Sequence, residues 1–257
     1  MKSQKIKIAY TAKTVSSELK KLGSPARAKV SAWFFKTGKG EYGEGDKFLG
    51  ITVPVQRKVA HRFKELSFSE IKKLLQSPIH EHRFVALEIL VKQYEEGDAE
   101  KKDIIFNFYL ANAKKVNNWD LVDTSAPYIL GKHLLSAPVR ERKILYKLAK
   151  SENLWEKRIA IVATLALISQ KQYGETLKIA ELLINDSHDL IHKAVGWALR
   201  EVGKKSLKVE EKFLNKHAHH MPRTMLRYAI ERFPEAKRKS YLKTGKNSII
   251  VYRARHK

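Results

Sequence analysis

The feature that most constrains the fold of this chain is its succession of helix-forming segments, which are joined by very short connections. Apolar residues recur with helical spacing, and turn-forming pairs such as Ser77-Pro78 and Ala137-Pro138 separate the segments. No longer segment shows the alternation of apolar and polar residues that marks a half-buried strand. We therefore predict an all-α protein with about twelve helices, near residues 12–22, 25–36, 54–65, 79–96, 98–115, 119–132, 138–150, 153–170, 173–185, 188–204, 207–217 and 222–233.

Two segments carry more detailed helix signals. The segment 79–96 ends at Gly97 and places four apolar residues on one predicted face, namely Phe84, Leu87, Leu90 and Val91. Ser67 and Glu70 have the spacing of a capping box ahead of the apolar run that begins at Ile71. Both signals predict helices with one buried face.

A weak internal repeat links several of the predicted helices. His82-Arg83, Lys157-Arg158 and His192-Lys193 each precede small and apolar residues, their starts lie 75 and then 35 residues apart, and Pro222-Arg223 opens a similar run. Helix pairs that recur at about this interval are typical of HEAT-like α-solenoids. We therefore predict a right-curving stack of antiparallel helix pairs, in which one basic residue per repeat lines a concave groove. The alternative is a set of unrelated amphipathic helices that happen to begin with basic residues.

We expect one helical-repeat domain over residues 1–245, followed by a basic C-terminal tail over residues 246–257. The 51 Lys and Arg residues exceed the 27 Asp and Glu residues, which gives a formal net charge of +24. Such an excess implies a polyanionic partner, and nucleic acid, an anionic membrane and an acidic protein all qualify. The absence of cysteine excludes disulfides and thiolate metal sites. With no signal peptide or membrane-spanning run, the expected location is cytoplasmic, with the DNA (the nucleoid in a bacterium).

Three other features favour structural over functional interpretations. Residues 38–43 match the G-x-G-x-x-G pattern but follow a predicted helix rather than a strand, so we interpret residues 37–50 as a flexible connection. Three histidines cluster at His217, His219 and His220 without a nearby carboxylate or thiol, which favours a solvated surface over a zinc site. Trp155 lies near a helix start and is predicted to be a core residue.

The most informative segment is the run of polar and aromatic residues at 117–123. A helix that begins near Asn118 would be capped by that residue, and Asp120 would favour the positive end of the helix dipole. Trp119 and Asp123 are four residues apart, so they share one helix face. An aromatic ring beside a carboxylate suits a cationic ligand, although an exposed Asp beside a core Trp is an equally common arrangement.

Two further residues follow Trp119 at the spacing of one repeat. Arg158 lies 39 residues after Trp119, and Trp197 lies 39 residues after Arg158. Equivalent positions of successive repeats lie side by side in a solenoid. We therefore expect Trp119, Asp123, Arg158 and Trp197 to share one groove.

At these residues the sequence resembles the AlkD-type DNA alkylation repair glycosylases. The resemblance rests on Asn-Trp-Asp-Leu-Val-Asp at 118–123, Trp-Glu-Lys-Arg at 155–158 and Lys-Ala-Val-Gly-Trp-Ala-Leu-Arg at 193–200. The run Phe-Leu-Gly-Ile at 48–51, with Pro54, also looks like the N-terminal region of the family. It extends from about residue 30 to 235, which is most of the chain.

The resemblance implies a HEAT-like superhelix that excises positively charged N3- and N7-alkylated purines from double-stranded DNA. It assigns Asp123 as the catalytic carboxylate, Trp119 and Trp197 as aromatic residues of the DNA-facing cleft, and Arg158 as the arginine beside them. A monofunctional glycosylase needs no lysine nucleophile, metal or organic cofactor, and we expect a monomer. The competing hypothesis is a noncatalytic HEAT-like scaffold that binds nucleic acid, but a pure binder gains nothing from a carboxylate that faces phosphates.

Overall fold

A computed structural model describes residues 10–243, so the predicted tail at 246–257 lies outside the described residues. Within that range fourteen α-helices are described at both ends, and residues 235–243 are helical as well. The fourteen are α1 (Ala12–Leu22), α2 (Pro25–Phe34), α3 (Val53–Arg62), α4 (Phe68–Leu75), α5 (His80–Glu96), α6 (Ala99–Ala111), α7 (Trp119–Ser125), α8 (Lys132–Ser136), α9 (Lys143–Ala149), α10 (Leu154–Ser169), α11 (Gly174–Leu182), α12 (Asp189–Lys205), α13 (Leu207–His217) and α14 (Arg223–Ala229).

The prediction of an all-α protein is confirmed for the described range. The only β-type pairing there is an isolated parallel bridge between Lys47 and Ile79. None of the helices in residues 10–243 is long and apolar enough to cross a membrane.

The chain divides into two compact units, the first ending at Ser125 and the second beginning at Ala126. In the first unit, α5 packs between α3 and α7, while α4 and α6 pack against α5 from the other layer. In the second unit, α10 packs on α12 and α12 packs on α14, while α9, α11 and α13 form the alternate layer. Within each unit, this packing of every second helix is that of an α-solenoid.

The predicted helix over residues 119–132 is wrong in its middle. Helix α7 ends at Ser125, a π-type turn follows over Pro127–Gly131, and α8 begins at Lys132. Proline has no backbone N–H to donate, so it interrupts the helical hydrogen bonding at this point. The Gly131 N–H instead reaches back five residues to the Ala126 carbonyl at 2.9 Å.

The predicted capping box at Ser67 is also wrong, although the helix does begin at the next residue. The Ser67 hydroxyl pairs with that of Ser69 at 3.0 Å and makes no capping bond. Glu70 accepts a hydrogen bond from the Ala12 backbone N–H at 2.7 Å. The carboxylate therefore caps the start of α1 rather than that of its own helix.

The basic pairs of the sequence repeat do lie in or beside the first turns of helices. In two of these pairs, however, the arginine is buried and does not line a surface. Arg83 is 3% exposed and Arg158 is 5% exposed. Arg83 is neutralised by Asp46 and donates to the Ser77 carbonyl. Residues 80–87 of α5 are all buried, so this part of the helix is covered on every side and not only on the one apolar face that was predicted. A buried guanidinium is tolerated here because its carboxylate partner and hydrogen bonds are buried with it.

Gly196 sets the distance of closest approach between α12 and α14. A Cβ atom at this position would lie 2.4 Å from the Met225 carbonyl oxygen and 2.5 Å from the Tyr228 Cβ. These distances are shorter than van der Waals contact, so the two helices pack closely only because residue 196 lacks a side chain.

Replacement of this glycine should therefore be costly. We expect Gly196→Ala to lower the free energy of unfolding by about 1–3 kcal/mol because α14 must move away from α12. Gly174→Ala is the matched control, since a Cβ there meets nothing within 4 Å; it should change stability by less than about 1 kcal/mol, and favourably. Guanidinium denaturation of the three proteins measures both changes, and equal stabilities for the two variants would contradict the packing argument.

Candidate functional site

A buried ionic network lies beneath the start of α7 in the first unit. The His80 ring, which is 2% exposed, has its Nε2 2.7 Å from an Asp120 carboxylate oxygen and its Nδ1 3.4 Å from an Asp46 oxygen. The other Asp46 oxygen accepts a hydrogen bond from Arg83 at 2.7 Å. Two carboxylates and two basic groups thus balance one another in the interior.

This environment changes the protonation of both acid and base. Burial disfavours the charged form of His80, but the Asp120 charge and the two carboxylate hydrogen bonds outweigh burial and raise the pKa of His80 to about 9. Burial also acts to raise the pKa of Asp46, yet the His80 hydrogen bond and the Arg83 charge lower that pKa. His80 is therefore a cation at neutral pH, held between two carboxylates.

The network fixes the residues on either side of Trp119. The Asn118 side-chain amide donates to Asp46 at 3.3 Å, and its oxygen accepts from the Trp119 backbone N–H at 2.8 Å. On the other side, Asp120 accepts from the Leu121 backbone N–H at 2.8 Å. Asn118 and Asp120 lie at the start of α7 as predicted, but each side chain accepts only from the next backbone N–H, and Asp120 is in addition the main partner of a buried imidazolium.

The Trp119 ring belongs to a column of aromatic rings in the first unit. It stacks on Phe35 with 5.3 Å between centroids, and Phe34 meets its edge at 5.9 Å. Phe35 in turn contacts the rings of Phe48 and His80 at 5.1 and 4.9 Å. The ring, which remains half-exposed, is therefore held from below by aromatic contacts and at its backbone by the ionic network.

Asp123 lies one turn after Trp119 on the same helix and is partly exposed. The next two residues form hydrogen bonds within the first unit. Thr124 donates to Glu88, and Ser125 donates to the Leu121 carbonyl at 2.6 Å. Burial, together with the nearby charge of Asp123, raises the pKa of the Tyr109 hydroxyl. The short helix α7 therefore presents Asp123 from a backbone that is fixed along its length.

The other two predicted site residues lie on neighbouring helices of the second unit. Trp197 on α12 is half-exposed, and its indole N–H donates to Glu201 at 3.2 Å. Arg158 on α10 is buried and donates to the Leu190 carbonyl at 2.8 Å, so part of its guanidinium anchors the start of α12. Trp155 is 7% exposed, which confirms its predicted place in the core.

The glycine-rich segment 37–50 is an irregular loop anchored by a buried carboxylate. Glu81 accepts backbone hydrogen bonds from Leu49, Gly50 and Ile51 at 2.7–3.3 Å. Gly50 has φ +76°, and the Ser24 carbonyl lies 2.4 Å from where a Cβ would stand, so only glycine fits. The anchored loop places Phe48 and Asp46 against His80. It does not form the strand, turn and helix of a dinucleotide site.

The histidine cluster is not entirely solvated. His217 is 6% exposed and packs on Phe213 with 4.5 Å between ring centroids, whereas His219 and His220 are exposed. The prediction of a solvated surface is therefore wrong for His217, whose ring is covered and whose Nε2 lies 3.4 Å from a Glu181 carboxylate oxygen. Among residues 10–243, no group of three His, Cys, Asp or Glu side chains is arranged to hold a metal ion.

Comparison with known proteins identifies the family. A sequence model of the DNA alkylation repair enzymes matches residues 15–233. The chain belongs to this family. A solved structure, a predicted DNA alkylation repair enzyme from Enterococcus faecalis, matches with a TM-score of 0.66 and 18% identity over 83% of this chain and 97% of that one. This likeness confirms the predicted all-α solenoid fold. Among curated proteins, no sequence matches the chain.

Sequence reasoning missed the buried support of this site. His80, Asp46 and Phe35 carry no local signal, since their partners lie tens of residues away in the chain. The one available hint was that four successive residues with polar side chains, 80–83, precede the apolar run that begins at Phe84 in α5.

The raised pKa of His80 makes a definite prediction for the pH dependence of stability. Between pH 6.5 and about 9 the folded protein keeps a proton on His80 that the unfolded chain has lost. The free energy of unfolding should therefore fall as pH rises through this window, by up to about 1.4 kcal/mol per pH unit from this group. His80→Gln should remove that component and flatten the curve.

Chemical denaturation across this pH window measures the slope for the wild-type protein and for His80→Gln. The exposed His219 supplies the control, since His219→Gln should keep the wild-type slope. Equal slopes for the wild-type protein and His80→Gln would show that His80 does not hold an extra proton in the folded state.

Proposed function

We propose that this protein is a monofunctional DNA glycosylase that hydrolyses the N-glycosidic bond of cationic N3- and N7-alkylated purines in duplex DNA. The observation that carries the proposal is the position of Asp123. It is a partly exposed carboxylate one turn after the half-exposed Trp119, in a chain whose net charge is +24. A carboxylate in this position can stabilise a positive charge that develops on the substrate.

The substrate supplies much of the chemistry itself. Alkylation at N3 or N7 leaves the purine positively charged, so the base departs with the electrons of the glycosidic bond and becomes neutral. The sugar is left with oxocarbenium character at C1′, which Asp123 stabilises electrostatically. Water then adds to C1′, and Asp123 orients it and accepts its proton. No lysine nucleophile, metal or organic cofactor takes part in this sequence.

Trp119 in the first unit and Trp197 in the second are the aromatic residues that we propose to contact DNA. The half-exposed faces of Trp119 and Trp197 can attract a cationic base, and they offer flat surfaces to neighbouring nucleotides. The stacking of Trp119 on Phe35 keeps its ring in one orientation, so little entropy is lost when it contacts DNA.

Arg158 has a narrower role in this proposal than the sequence suggests. Because it is 5% exposed and already donates to Leu190, a phosphate can meet only the edge of its guanidinium. We propose that Arg158 mainly holds α12, and with it Trp197, while contributing positive charge toward the DNA backbone. We further propose that the protein acts on DNA as a monomer.

The test is single-turnover release of methylated base by Asp123→Asn. This change keeps the shape of the side chain and removes its charge, so release of 7-methylguanine should slow by about 10²–10³-fold. Affinity for duplex DNA, measured separately, should persist or increase slightly, because a carboxylate near phosphates repels them.

The matched control is Asp103→Asn, which removes an exposed carboxylate from α6 of the same unit and should leave base release unchanged. Asp120→Asn is unsuitable, since it breaks the His80 ion pair. If Asp123→Asn released base as fast as the wild-type protein, the catalytic assignment would be wrong. If the wild-type protein bound duplex DNA but released no base, the chain would be the noncatalytic nucleic-acid-binding scaffold instead.

A further inference from the structure

Helix α2 carries an apolar face that nothing in the described part of the first unit covers. None of its residues is buried, and three apolar side chains at helical spacing are exposed: Val30 at 65%, Trp33 at 80% and Phe34 at 54%. Trp33 is far more exposed than is usual for tryptophan, whose large apolar ring is normally mostly buried. The face therefore suits a binding partner better than solvent.

The surroundings of this face are basic. Arg27 and Lys29 are exposed on α2, and Lys36 and Lys39 are exposed just after it. The two nearby acidic side chains are engaged by the loop itself, since Glu41 accepts from the Gly38 N–H at 2.9 Å and Glu44 from the Gly40 N–H at 2.8 Å. An aromatic ring among lysines and arginines is the combination that binds unpaired nucleotides, with bases stacked on the ring and phosphates near the cations.

A cavity of about 450 Å³ opens at the end of this helix, with Trp33, Phe34, Lys36 and Glu41 among its lining residues. That volume is ample for a single nucleobase. Phe34 also meets the edge of Trp119 at 5.9 Å, so the cavity adjoins the aromatic column of the candidate site within the same unit.

We propose that the α2 face binds an unpaired DNA base, which stacks on Trp33 while Lys36 contacts an adjacent phosphate. A nucleotide that lacks a pairing partner, such as one displaced at a damaged site, supplies such a base at low cost in lost stacking. The inference depends on the chain being a DNA-binding protein but not on the chemistry of Asp123.

The experiment compares three fluorescein-labelled probes: a short oligothymidine, a duplex with one unpaired thymidine, and the same duplex fully paired. Trp33→Ala should weaken binding of the first two probes by about 5- to 100-fold, the range expected for one lost base–aromatic stack. It should alter binding of the paired duplex by less than about 2-fold. Trp33→Phe keeps an aromatic face and should retain most of the affinity.

These variants should fold normally, because Trp33 is 80% exposed and contributes little to the core. Leu182→Ala is the matched control, since it shortens an apolar side chain that is 46% exposed in the second unit, and it should bind all three probes as the wild-type protein does. Equal binding of the unpaired probes by wild type and Trp33→Ala would overturn the inference. The inference would also be overturned if Trp33→Ala weakened binding of the paired duplex as much as that of the unpaired probes. The same holds if Trp33→Ala changed only the self-association of the protein, as measured by analytical ultracentrifugation.

Because these are binding measurements, they also separate this inference from the proposed function. Failure of the α2 face would leave base release by Asp123 intact, and failure of base release would leave the difference between the probes intact.

Discussion

The first unit depends on one buried ion pair, the contact between the His80 imidazolium and the Asp120 carboxylate. A buried charge is expensive unless its partner and its hydrogen bonds are buried with it. Here Asp46 and Arg83 complete the balance, so each ionised group has an opposite charge within hydrogen-bonding distance or close to it. The network ties three segments together, because Asp46 lies in the glycine-rich loop, His80 and Arg83 on α5, and Asp120 on α7. Loss of one member would leave the charges of the others uncompensated.

The chain carries a formal net charge of +24, and internal contacts engage part of its carboxylate charge. Several of its acidic residues are committed to internal partners, as Asp46, Glu81 and Asp120 are. The helix that carries Asp123 is short, and helices of that length are marginal on their own. Contacts at both ends of α7, rather than its own helical propensity, therefore hold Asp123 in place. In the proposed function, this fixed backbone orients the charge of Asp123 before the reaction begins.

The sequence was sufficient for the helices because their signals are local. The segments 79–96 and 188–204 differ from α5 and α12 by only a residue at their ends, since apolar spacing and turn residues mark both boundaries. The exceptions have local causes as well: Pro127 breaks the predicted helix at 119–132, and Ser67 bonds Ser69 rather than closing a capping box.

The candidate site was predictable only in its outer layer. Trp119 and Asp123 share a helix face because they are four residues apart, which spacing alone reveals. The pairing of His80 with Asp120 joins residues forty positions apart, and no local pattern marks such a contact. The burial of Arg158 was likewise invisible, because a basic residue in a repeat looks the same in sequence whether it faces solvent or a neighbouring helix.

The central claim is that this member of the DNA alkylation repair family cuts the bond between a damaged base and its sugar. Product analysis tests that claim most directly, with methylated duplex DNA as substrate and mass spectrometry of the released and retained fractions. The account predicts free 7-methylguanine and 3-methyladenine in solution, with an abasic site left in an uncleaved strand. Recovery of unmethylated guanine within intact DNA, or no released base at all, would contradict it.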